Sequence, residues 1–532
     1  MYTVVDLFAG AGGLSLGFMQ TGKFNIVAAA ENNKNAQKTY HRNHPNTRLY
    51  SDVRDIDYKS MKSHLGKIDI VIGGPPCQGF SNANRQHSTI VSMNNRLVKE
   101  YVRAICELRP KAFVMENVAM LRSSVHRFLV EDEDIRNSSV MELEMKKEYI
   151  ELIPSSAYFP GALDFIKTLN TPTTFMWNDR LFRLINHLFR YRINQTKFNQ
   201  TLEKHKRGLL KYLDELMQSS KDIARTTLKT FDNEMVHAIV TYSNNREQSS
   251  FAKLILSIEK PLMLQRAIHK MQEILSNNIH IYEYKMLDNK VVALVKSYAV
   301  LDYITGILGN APYSYNLTQN TFNAIDYGAP QRRERFVLVG ISNSFKAQYP
   351  APQPTVDSKE YPTVRDAISD LQDVPVSTDV KSNPISLEDR DDLSDLAKQL
   401  RGNMLYNHVC TASRSVAIER FKSLHEGQNF HDLDDSLKST YSNSKRTQNT
   451  IYLRLKYDEP SRTVVNVRKS MWIHPKLNRA ISIREAARLQ TFPDNFVFEG
   501  TKDSQYQQVG NAVPPCLANA VAKSLLSLLD EE

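Results

Sequence analysis

The stretch VVDLFAGAGGLSLGF, from Val4 to Phe18, decides the fold. Its apolar start leads directly into Gly10, Gly12 and Gly13, and a helix-like segment follows. Glycines at the end of a strand allow a tight turn and a close approach to a ligand at a helix N-terminus. The spacing is not GxGxxG, and the Lys-Ser/Thr pair of a phosphate loop is absent. The stretch therefore predicts a strand–turn–helix unit for a nucleoside cofactor that needs no pyrophosphate.

Two acidic residues follow the glycine turn at positions that suit a nucleoside. Glu31 ends the second apolar run, about twenty residues after the glycines, an offset that suits hydrogen bonding to ribose hydroxyls. Asp52 follows the run RLYS, where a third strand would end and a carboxylate could accept from an adenine amino group. A plain strand–helix turn with acidic residues on the surface is the alternative interpretation.

Apolar runs alternate with amphipathic stretches in the N-terminal part of the chain and predict an α/β fold. The runs TVVDLF, FNIVAAAE, IDIVIGG and AFVMENV are typical of buried strands, and LVKEYVRAICEL is typical of a helix between them. Continuous apolar strands that alternate with helices indicate a parallel sheet covered on both faces. RFVLVGI, from Arg335 to Ile341, predicts a further strand of the same sheet.

Length and composition limit the class of protein. The chain has 532 residues, which suggests roughly two to four domains. Its net charge of +10 favours a polyanionic partner such as nucleic acid. It has no apolar run of about 18 residues, so we expect no membrane-spanning helix. The four cysteines are scattered without a CxxC pair, which suggests neither a zinc site nor a disulfide framework and favours a reducing, cytoplasmic location.

Changes in composition divide the chain into five segments, 1–121, 122–310, 311–341, 342–475 and 476–532. The second is predicted to be a mostly helical insertion, and its basic, aromatic character fits either a solvated helix face or a DNA contact. The fourth is rich in proline turns, acidic clusters and polar loops. In the last, Ser482 and Glu485 have the spacing of a capping box, and Pro493 ends the helix.

A cysteine stands at the end of the run IDIVI, in the stretch GGPPCQGFSNANR from Gly73 to Arg85. Pro75 and Pro76 restrict the backbone before Cys77, and the polar segment after it suits a mobile lid. A cysteine held at the ligand-binding edge of such a sheet is a candidate nucleophile. A buried, inert cysteine is the alternative, since free cysteines are mostly buried.

Polar residues at the neighbouring strand strengthen the nucleophile interpretation. Glu116 and Asn117 end the run AFVMENV, where an acid beside Cys77 could protonate a ring nitrogen and make the ring electrophilic. QRRERF then supplies Arg333 and Arg335, which alternate and so face the same side of a strand. They could anchor Glu116, a substrate carbonyl or a phosphate. A pair of solvated arginines is the alternative.

Together these blocks resemble the DNA (cytosine-5)-methyltransferases of bacterial type. The matching blocks, in the family's order, are DLFAGAGG, Glu31, Asp52, GGPPCQGFS, MENV, QRRERF, RAISIREAARLQTFPD and QVGNAVPP. The resemblance implies a Rossmann-like class I methyltransferase fold, S-adenosyl-L-methionine as cofactor and a smaller, loop-rich target recognition domain at 342–475. The insertion at 122–310 departs from the family pattern, because the interval between MENV and QRRERF is far shorter in simple members.

The resemblance also implies the cofactor-binding residues. Phe8 would lie on or near the adenine, the turn that follows would wrap the amino acid part, and Glu31 would bind the ribose. The full set is Phe8, Ala9, Gly10, Ala11, Gly12, Gly13, Glu31, Asn32, Asp52, Val53, Pro76, Leu97, Asn511 and Ala512. Asn32 stands where some members carry an aromatic residue. Because QVGNAVPP lies near the C-terminus, the last helix must pack beside the first glycine turn.

The implied reaction is methylation at C5 of a cytosine flipped out of double-stranded DNA. Cys77 would attack C6 while Glu116 protonates or hydrogen-bonds N3, and Arg333 with Arg335 would hold the O2 side and steady Glu116. DNA contacts near the flipped base are implied for Gln78, Ser81 and Arg85. Enzymes that methylate exocyclic amines usually carry D/N/S-P-P-Y/F at this place, whereas PPC suits carbon alkylation.

Two other functions stay open at this point. One is an RNA cytosine-5 methyltransferase of the tRNA type, and the other is a catalytically silent DNA-binding regulator, against which the intact Cys77 and Glu116 argue. We expect DNA and a cognate restriction endonuclease or another defence-system protein as partners, with neither a membrane nor a metal. The expected location is the bacterial cytoplasm, in association with DNA.

Overall fold

The structure is a computed structural model that describes residues 1–76, 93–122, 127–218, 226–246, 250–345, 348–441 and 444–530. Its described residues fall into two compact units. The first unit contains 1–76, 93–122 and the part of the chain from 304 onward, and the second contains 127–303. Four residues singled out from the sequence lie outside the described residues, namely Cys77, Gln78, Ser81 and Arg85.

The first unit begins with alternating strands and helices, as the apolar runs predict. In chain order they are β1 Tyr2–Leu7, α1 Gly13–Met19, β2 Phe24–Ala30, α2 Lys34–Asn43, β3 Arg48–Tyr50, α3 Tyr58–Leu65, β4 Ile70–Gly73, α4 Met93–Leu108 and β5 Ala112–Asn117.

The second unit combines helices with short strands. Its elements are β6 Arg127–Leu129, α5 Ser138–Met141, β7 Lys146–Ile153, α6 Ala162–Thr168, α7 Asp179–Phe189, α8 Gln195–Gln218, α9 Thr226–Asn244, α10 Phe251–Ser276, β8 Glu283–Leu287 and β9 Lys290–Ala299.

The remaining chain supplies a helix, two strands and a series of short elements. They are α11 Val300–Gly309, β10 Asn316–Asn323, β11 Glu334–Ile341, α12 Val364–Ile368, β12 Ile385–Ser386, α13 Asp395–Leu400, β13 Met404–Leu405, α14 Ser415–Ser423, α15 Asp435–Lys438, α16 Val467–Ser470, α17 Ile483–Leu489, α18 Lys502–Asn511 and α19 Pro515–Leu529.

The main sheet of the first unit has the order β10-β11-β5-β4-β1-β2-β3. Strands β1 to β5 pair in parallel, and the last residue of β1, Leu7, lies opposite Ala30 and Gly73. The turns that follow β1, β2, β4 and β5 therefore open at one edge, where ligands bind in such sheets. Strand β11 is antiparallel to β5, so its first residues arrive at that same edge.

Helices cover the sheet on both faces, as the continuous apolar strands predict. On one face Val4, Ile72 and Val114 pack in a single buried cluster with Leu525 of α19. On the other, Tyr101 of α4 donates a hydrogen bond to the carbonyl oxygen of Val114 at 2.9 Å. The fold is therefore a doubly covered α/β sheet with an antiparallel edge.

The C-terminal segment Lys502–Leu529 is long and apolar enough to span a membrane. It is the one such segment in the described part of the chain, and 67% of its most apolar window is buried inside the protein. It comprises α18 and α19, joined at the Pro514–Pro515 pair. Its apolar residues belong to the buried clusters of the first unit, as those of a core helix do.

The insertion is less purely helical than the sequence predicts. Strand β9 pairs antiparallel with β6, β7 and β8, so a small sheet packs beside the helices of the second unit. The hairpin between β8 and β9 turns at Asp288 and Asn289, both in the left-handed region with φ of 47° and 60°. A two-residue Asp-Asn turn between apolar runs is a hairpin signal that this pattern could have supplied.

The segment 342–475 is irregular, as predicted, but it belongs to the first compact unit. One buried cluster joins Val364, Leu453 and Trp472 of this segment to Ile483 and Phe492 beyond its end. The boundary placed at 475 therefore crosses a hydrophobic core. Its role in target recognition stays a prediction.

The packing of α1 against α19 leaves no room for a side chain at Gly17. A Cβ there would lie 2.4 Å from the Cβ of Ala518 and 2.5 Å from the carbonyl oxygen of Pro515. We predict that Gly17→Ala destabilises the protein by roughly 1–3 kcal/mol, because overpacking outweighs the gain in helix propensity. Thermal unfolding measures the effect.

Gly208 of α8 provides the matched control. Its nearest neighbour would lie 3.9 Å from an added Cβ, so Gly208→Ala should stabilise by about 0.5–1 kcal/mol. An equal rise in melting temperature for both variants would contradict the close packing of α1 on α19.

Candidate active site

The glycine turn after β1 is held in an uncommon backbone conformation. Phe8, Gly10 and Gly12 have positive φ values of 60°, 57° and 95°. Such values are strained for Phe8, and backbone strain of this kind collects at functional sites. A Cβ at Gly13 would lie 2.4 Å from the carbonyl oxygen of Val513, whereas a Cβ at Gly10 would meet nothing within 4 Å. The protein's own C-terminal segment therefore fills the space beside Gly13 and leaves that beside Gly10 open.

Glu31 is tied to the glycine turn. The Gly10 N–H donates to Oε2 of Glu31 at 2.8 Å, and the Asn33 N–H donates to Oε1 at 2.6 Å. Burial raises the pKa of the Glu31 carboxyl, and these backbone hydrogen bonds oppose the rise. The carboxylate keeps acceptor capacity beyond these two bonds, so it suits a ligand that donates hydroxyl groups.

Asp52 already has a strong partner. Its carboxylate accepts from Nε of Arg54 at 2.9 Å and from Nη2 at 2.5 Å, which lowers its pKa to about 2. Nδ2 of Asn32 lies 3.4 Å from the same carboxylate. An adenine amino group at Asp52 would share this carboxylate with Arg54. Val53 is buried, and its carbonyl oxygen accepts from Arg103 at 3.0 Å.

The predicted return of the C-terminus to the glycine turn is confirmed. A Cβ at Gly13 would lie 3.4 Å from the Cβ of Ala512, the residue after α18. The Asn511 side chain is exposed, and its Oδ1 accepts from Gln507 at 2.7 Å. Pro76 and Leu97 are half-buried, and their assignment to a cofactor site stays a prediction.

A buried acid beneath the turn escaped the sequence analysis. Asp6 of β1 accepts from the Ser15 hydroxyl at 2.6 Å, and Ser15 lies 2.8 Å from the hydroxyl of Tyr40. Burial raises the pKa of Asp6 to about 7. An acidic residue in the middle of an apolar strand is the signal that could have identified it. The network links β1, α1 and α2 directly below the glycine turn.

Glu116 and Arg335 form an ion pair at the ligand-binding edge. Nε of Arg335 lies 2.7 Å from Oε1 of Glu116, and the two side chains are only 14% and 13% exposed. Burial raises the pKa of Glu116, and the charges of Arg335 and then Arg333 oppose that rise. A buried carboxyl with a raised pKa beside a cation is a candidate general acid.

The Glu116 carboxyl lies beside the segment that leads to Cys77. A Cβ at Gly74 would be 3.1 Å from Oε2 of Glu116, and Nδ2 of Asn117 donates to the carbonyl oxygen of Pro75 at 3.0 Å. The ends of β4 and β5 are thus fixed to each other by backbone packing and a side-chain hydrogen bond. These contacts position the residues immediately before Cys77.

The structure separates two arginines that the sequence analysis treats alike. Arg333 is buried and donates to the carbonyl oxygens of Val464, Gly510 and Ala512 at 2.8–2.9 Å. These bonds tie together buried backbone segments, and the predicted contact of Arg333 with the substrate stays a prediction. Arg335 is the arginine that holds Glu116. The alternation of residues along a strand predicts which face of the sheet a side chain lies on. It does not predict which residues that side chain contacts, so it cannot distinguish Arg333 from Arg335.

Gln331 is a buried side chain that hydrogen-bonds two distant segments, a role that the sequence analysis did not predict. Its Nε2 donates to the carbonyl oxygen of Leu489 at 2.9 Å, and its Oε1 accepts from the Val464 N–H at 3.0 Å. The QRRERF block therefore joins distant segments of the first unit as well as supplying Arg335.

The predicted capping box of Ser482 and Glu485 is present at α17.

The different partners of the two arginines predict different costs of substitution. Arg333→Met leaves three buried carbonyl oxygens without a donor, so we expect the free energy of unfolding to fall by about 3 kcal/mol or more. Arg335→Met should cost less stability, because the released Glu116 carboxyl can take up a proton. Chemical denaturation measures both. Unchanged stability of Arg333→Met together with a loss of turnover would show instead that Arg333 acts on the substrate.

Comparison with known proteins agrees with this fold. The chain matches the model of the family described as C-5 cytosine-specific DNA methylase over residues 2–138 and 291–527, more than half of its length. The fold and site thus define a class I methyltransferase. The chain belongs to the C-5 cytosine-specific DNA methylase family and is a DNA (cytosine-5)-methyltransferase. Most of the insertion, 139–290, lies outside the matched ranges.

Similar proteins are named as type II methyltransferases. The chain is 24% identical over 534 residues to the type II methyltransferase M1.HphI of Haemophilus parahaemolyticus, which covers 100% of this chain and 88% of that protein. It is 44% identical over 128 residues to M.XorII of Xanthomonas oryzae pv. oryzae, covering 23% of this chain and 30% of that protein.

One solved structure shows the same fold. It is described as a DNA modification methyltransferase encoded within an E. coli prophage, and it superimposes with a TM-score of 0.54 at 20% identity, covering 100% of both chains.

Proposed function

We propose that this protein transfers a methyl group from S-adenosyl-L-methionine to C5 of a cytosine flipped out of duplex DNA at a specific sequence. The observation that carries the proposal is the Glu116–Arg335 pair at the ligand-binding edge, beside the segment that leads to Cys77. Family membership supports DNA as the substrate. Cys77 is proposed as the nucleophile from its motif in the sequence.

The proposed chemistry needs an acid and a nucleophile on one ring. The Cys77 thiolate forms a bond to C6 while Glu116 donates a proton to N3, so negative charge does not build up on the ring. C5 then carries the electron density that attacks an electrophilic methyl group. Loss of the C5 proton to solvent, elimination of the Cys77 thiolate and return of the N3 proton to Glu116 restore the neutral aromatic ring, and the demethylated cofactor leaves. Burial keeps the Glu116 proton available, and Arg335 fixes the orientation of its carboxyl.

The turn after β1 fits an adenosyl cofactor. Gly10 leaves open space, Glu31 offers acceptor oxygens for ribose hydroxyls, and Asp52 is an ionised acceptor beyond it. S-adenosyl-L-methionine would supply the electrophilic methyl group. The residues proposed to hold it are Phe8, Ala9, Gly10, Ala11, Gly12, Gly13, Glu31, Asn32, Asp52, Val53, Pro76, Leu97, Asn511 and Ala512.

The open space at Gly10 predicts a selective loss of cofactor binding. Gly10→Ala adds a methyl group that meets no protein atom within 4 Å, so its cost to folding is the strain of a positive φ, about 1–2 kcal/mol. The methyl group would occupy cofactor space, and we expect at least a tenfold weaker Kd, about 1.4 kcal/mol. Titration calorimetry with S-adenosyl-L-homocysteine measures it.

Gly22 is the matched control for this substitution. It also has a positive φ, 71°, and no atom within 4 Å of an added Cβ, but it lies in the turn between α1 and β2. Gly22→Ala should carry a similar folding cost with an unchanged Kd. Equal affinities for the two variants would place the cofactor elsewhere.

The ion pair predicts a shift in the pH dependence of catalysis. Glu116 must be protonated to act, so its pKa sets the alkaline limb of kcat/KM. Arg335 opposes the rise in that pKa. Arg335→Gln should therefore move the alkaline limb to higher pH while lowering kcat through poorer orientation of the carboxyl. Glu116→Gln should lose about 10²–10⁴-fold in rate and abolish that limb. If the alkaline limb of Arg335→Gln shifts to lower pH instead, Glu116 is not the general acid.

The substrate is tested by offering DNA and RNA side by side. We expect labelled methyl groups to enter duplex DNA and not tRNA, and Cys77→Ser to stop incorporation. Bisulfite sequencing of DNA from cells that express the protein identifies the methylated sequence. Incorporation into tRNA alone would show that the substrate is RNA.

We further propose that 342–475 reads the target sequence and that the methylation protects bacterial DNA from a cognate restriction endonuclease or serves a related defence system. The names of the similar type II methyltransferases support this role. Gln78, Ser81 and Arg85 are proposed to contact DNA near the flipped base, and the protein is proposed to act on DNA in the cytoplasm.

A further inference from the structure

One stretch of the second unit concentrates positive charge. Residues 180–211 contain nine lysines and arginines and one acidic residue, Glu203, in a chain whose whole net charge is +10. A solvated helix usually mixes charges of both signs along its surface. This stretch does not, so a plain solvated surface explains it poorly.

The stretch forms most of a helical hairpin, and we call 180–211 the basic hairpin. It includes nearly all of α7, the turn that follows, and the first two-thirds of α8. The apolar faces of both helices are buried in one cluster, with Leu181 and Ile185 from α7 and Leu202 and Leu209 from α8. The basic side chains lie on the outer surface. Those that are exposed are Arg180, Arg183, Arg190, Arg192, Lys197, Lys204, Arg207 and Lys211.

Few acidic residues compensate these charges. Arg183 pairs with Asp179 at 3.9 Å and Lys211 with Glu215 at 3.8 Å, and all four side chains are largely exposed. Pairs of this kind contribute little. Glu203 pairs with Arg246, which lies outside the hairpin.

The other exposed cations of the hairpin have no acidic partner among the described residues. Within the part of the chain that the structure describes, no ion pair joins a carboxylate to Arg190, Arg192, Lys197, Lys204 or Arg207. The positive charge of the hairpin is therefore available to an external anion.

Like charges gather at the turn of the hairpin. The Arg192 guanidinium lies 5.1 Å from the ring centroid of Phe189, and that of Arg266, from α10, lies 5.9 Å from the same ring. Burial, and then the charges of Arg192 and Arg190, lower the pKa of Arg266. Both Nε and Nη2 of Arg266 donate to the amide oxygen of Asn186, at 3.0 and 2.7 Å. Gathering cations without a counter-charge destabilises a fold, and a bound polyanion removes that cost.

We propose that the basic hairpin binds the phosphate backbone of double-stranded DNA, independently of sequence, as a contact in addition to the catalytic site. The proposal rests on the proposed function, since it assumes that DNA is the substrate. Binding to a membrane surface would need an apolar helix face turned outward, and the apolar faces of α7 and α8 are buried. Phosphate contacts of this kind position a protein on DNA without reading bases.

The test compares the salt dependence of DNA binding in two triple variants. The hairpin variant is Arg190→Gln, Arg192→Gln, Lys197→Gln, and the control is Lys146→Gln, Lys147→Gln, Lys253→Gln, three exposed lysines of the same unit. The probe is a duplex of A·T pairs only, which contains no cytosine, and anisotropy gives Kd at several salt concentrations. The slope of log K against log salt is negative, and each lost phosphate contact reduces its magnitude by about 0.9. We expect the magnitude of the slope to be smaller by about 2–3 in the hairpin variant than in the unaltered protein. In the control variant it should stay within about 0.5 of the value for the unaltered protein.

Methyl transfer at saturating target DNA separates this proposal from the proposed function. We expect the hairpin variant to keep its kcat and to have a melting temperature at least as high as that of the unaltered protein, since fewer like charges repel one another, while its KM for DNA rises at moderate salt. An unchanged slope in the hairpin variant, or equal slope losses in both variants, would overturn the proposal even if methylation is intact. If the slopes of the unaltered protein and the hairpin variant differ as expected but the unaltered protein transfers no methyl group to duplex DNA, the proposed function alone would be refuted.

Discussion

The contact between the two ends of the chain is the constraint on which the catalytic unit depends. Gly13 and Gly17 lack side chains, and the segment from Val513 to Ala518 occupies the space that side chains would take. The last helix thereby becomes part of the covering of the first strand. Arg333 extends this connection, since it bonds to carbonyl oxygens on both sides of Asn511 and precedes the strand that carries Arg335. The glycine turn and the Glu116–Arg335 pair are therefore fixed through one continuous set of packed residues.

Burial and charge act in opposite directions on the pKa of Glu116, and their balance suits the role of acid that is proposed for it. Burial alone favours the protonated carboxyl, whereas Arg335 favours the carboxylate. The group therefore holds a proton more readily than an exposed glutamate yet keeps a fixed orientation through a 2.7 Å contact. The register of β11 against β5 places Val337 opposite Glu116, which brings Arg335 to the edge. A one-residue slip of that pairing would turn Arg335 to the other face.

Much of the fold could be predicted from continuous apolar runs, because strands buried on both faces have a simple pattern. The same pattern missed β10, NLTQNTFN, which is polar along much of its length, and the sheet of the insertion, where short strands adjoin long helices. Among the site residues, position at a strand end identified Glu116 and Glu31. Partners that come from distant segments could not be predicted, as the different contacts of Arg333 and Arg335 and the network below the glycine turn show.

The covalent bond between Cys77 and the cytosine ring is the claim that connects the acid, the cofactor turn and the family assignment. DNA that carries 5-fluorocytosine at the target base tests it most directly, because fluorine replaces the proton that must leave before the thiolate can be eliminated. With S-adenosyl-L-methionine present, we predict a stable protein–DNA adduct that peptide mass spectrometry assigns to Cys77 and that Cys77→Ser does not form. An adduct at a different residue, or methylation that continues at full rate without any adduct, would contradict it.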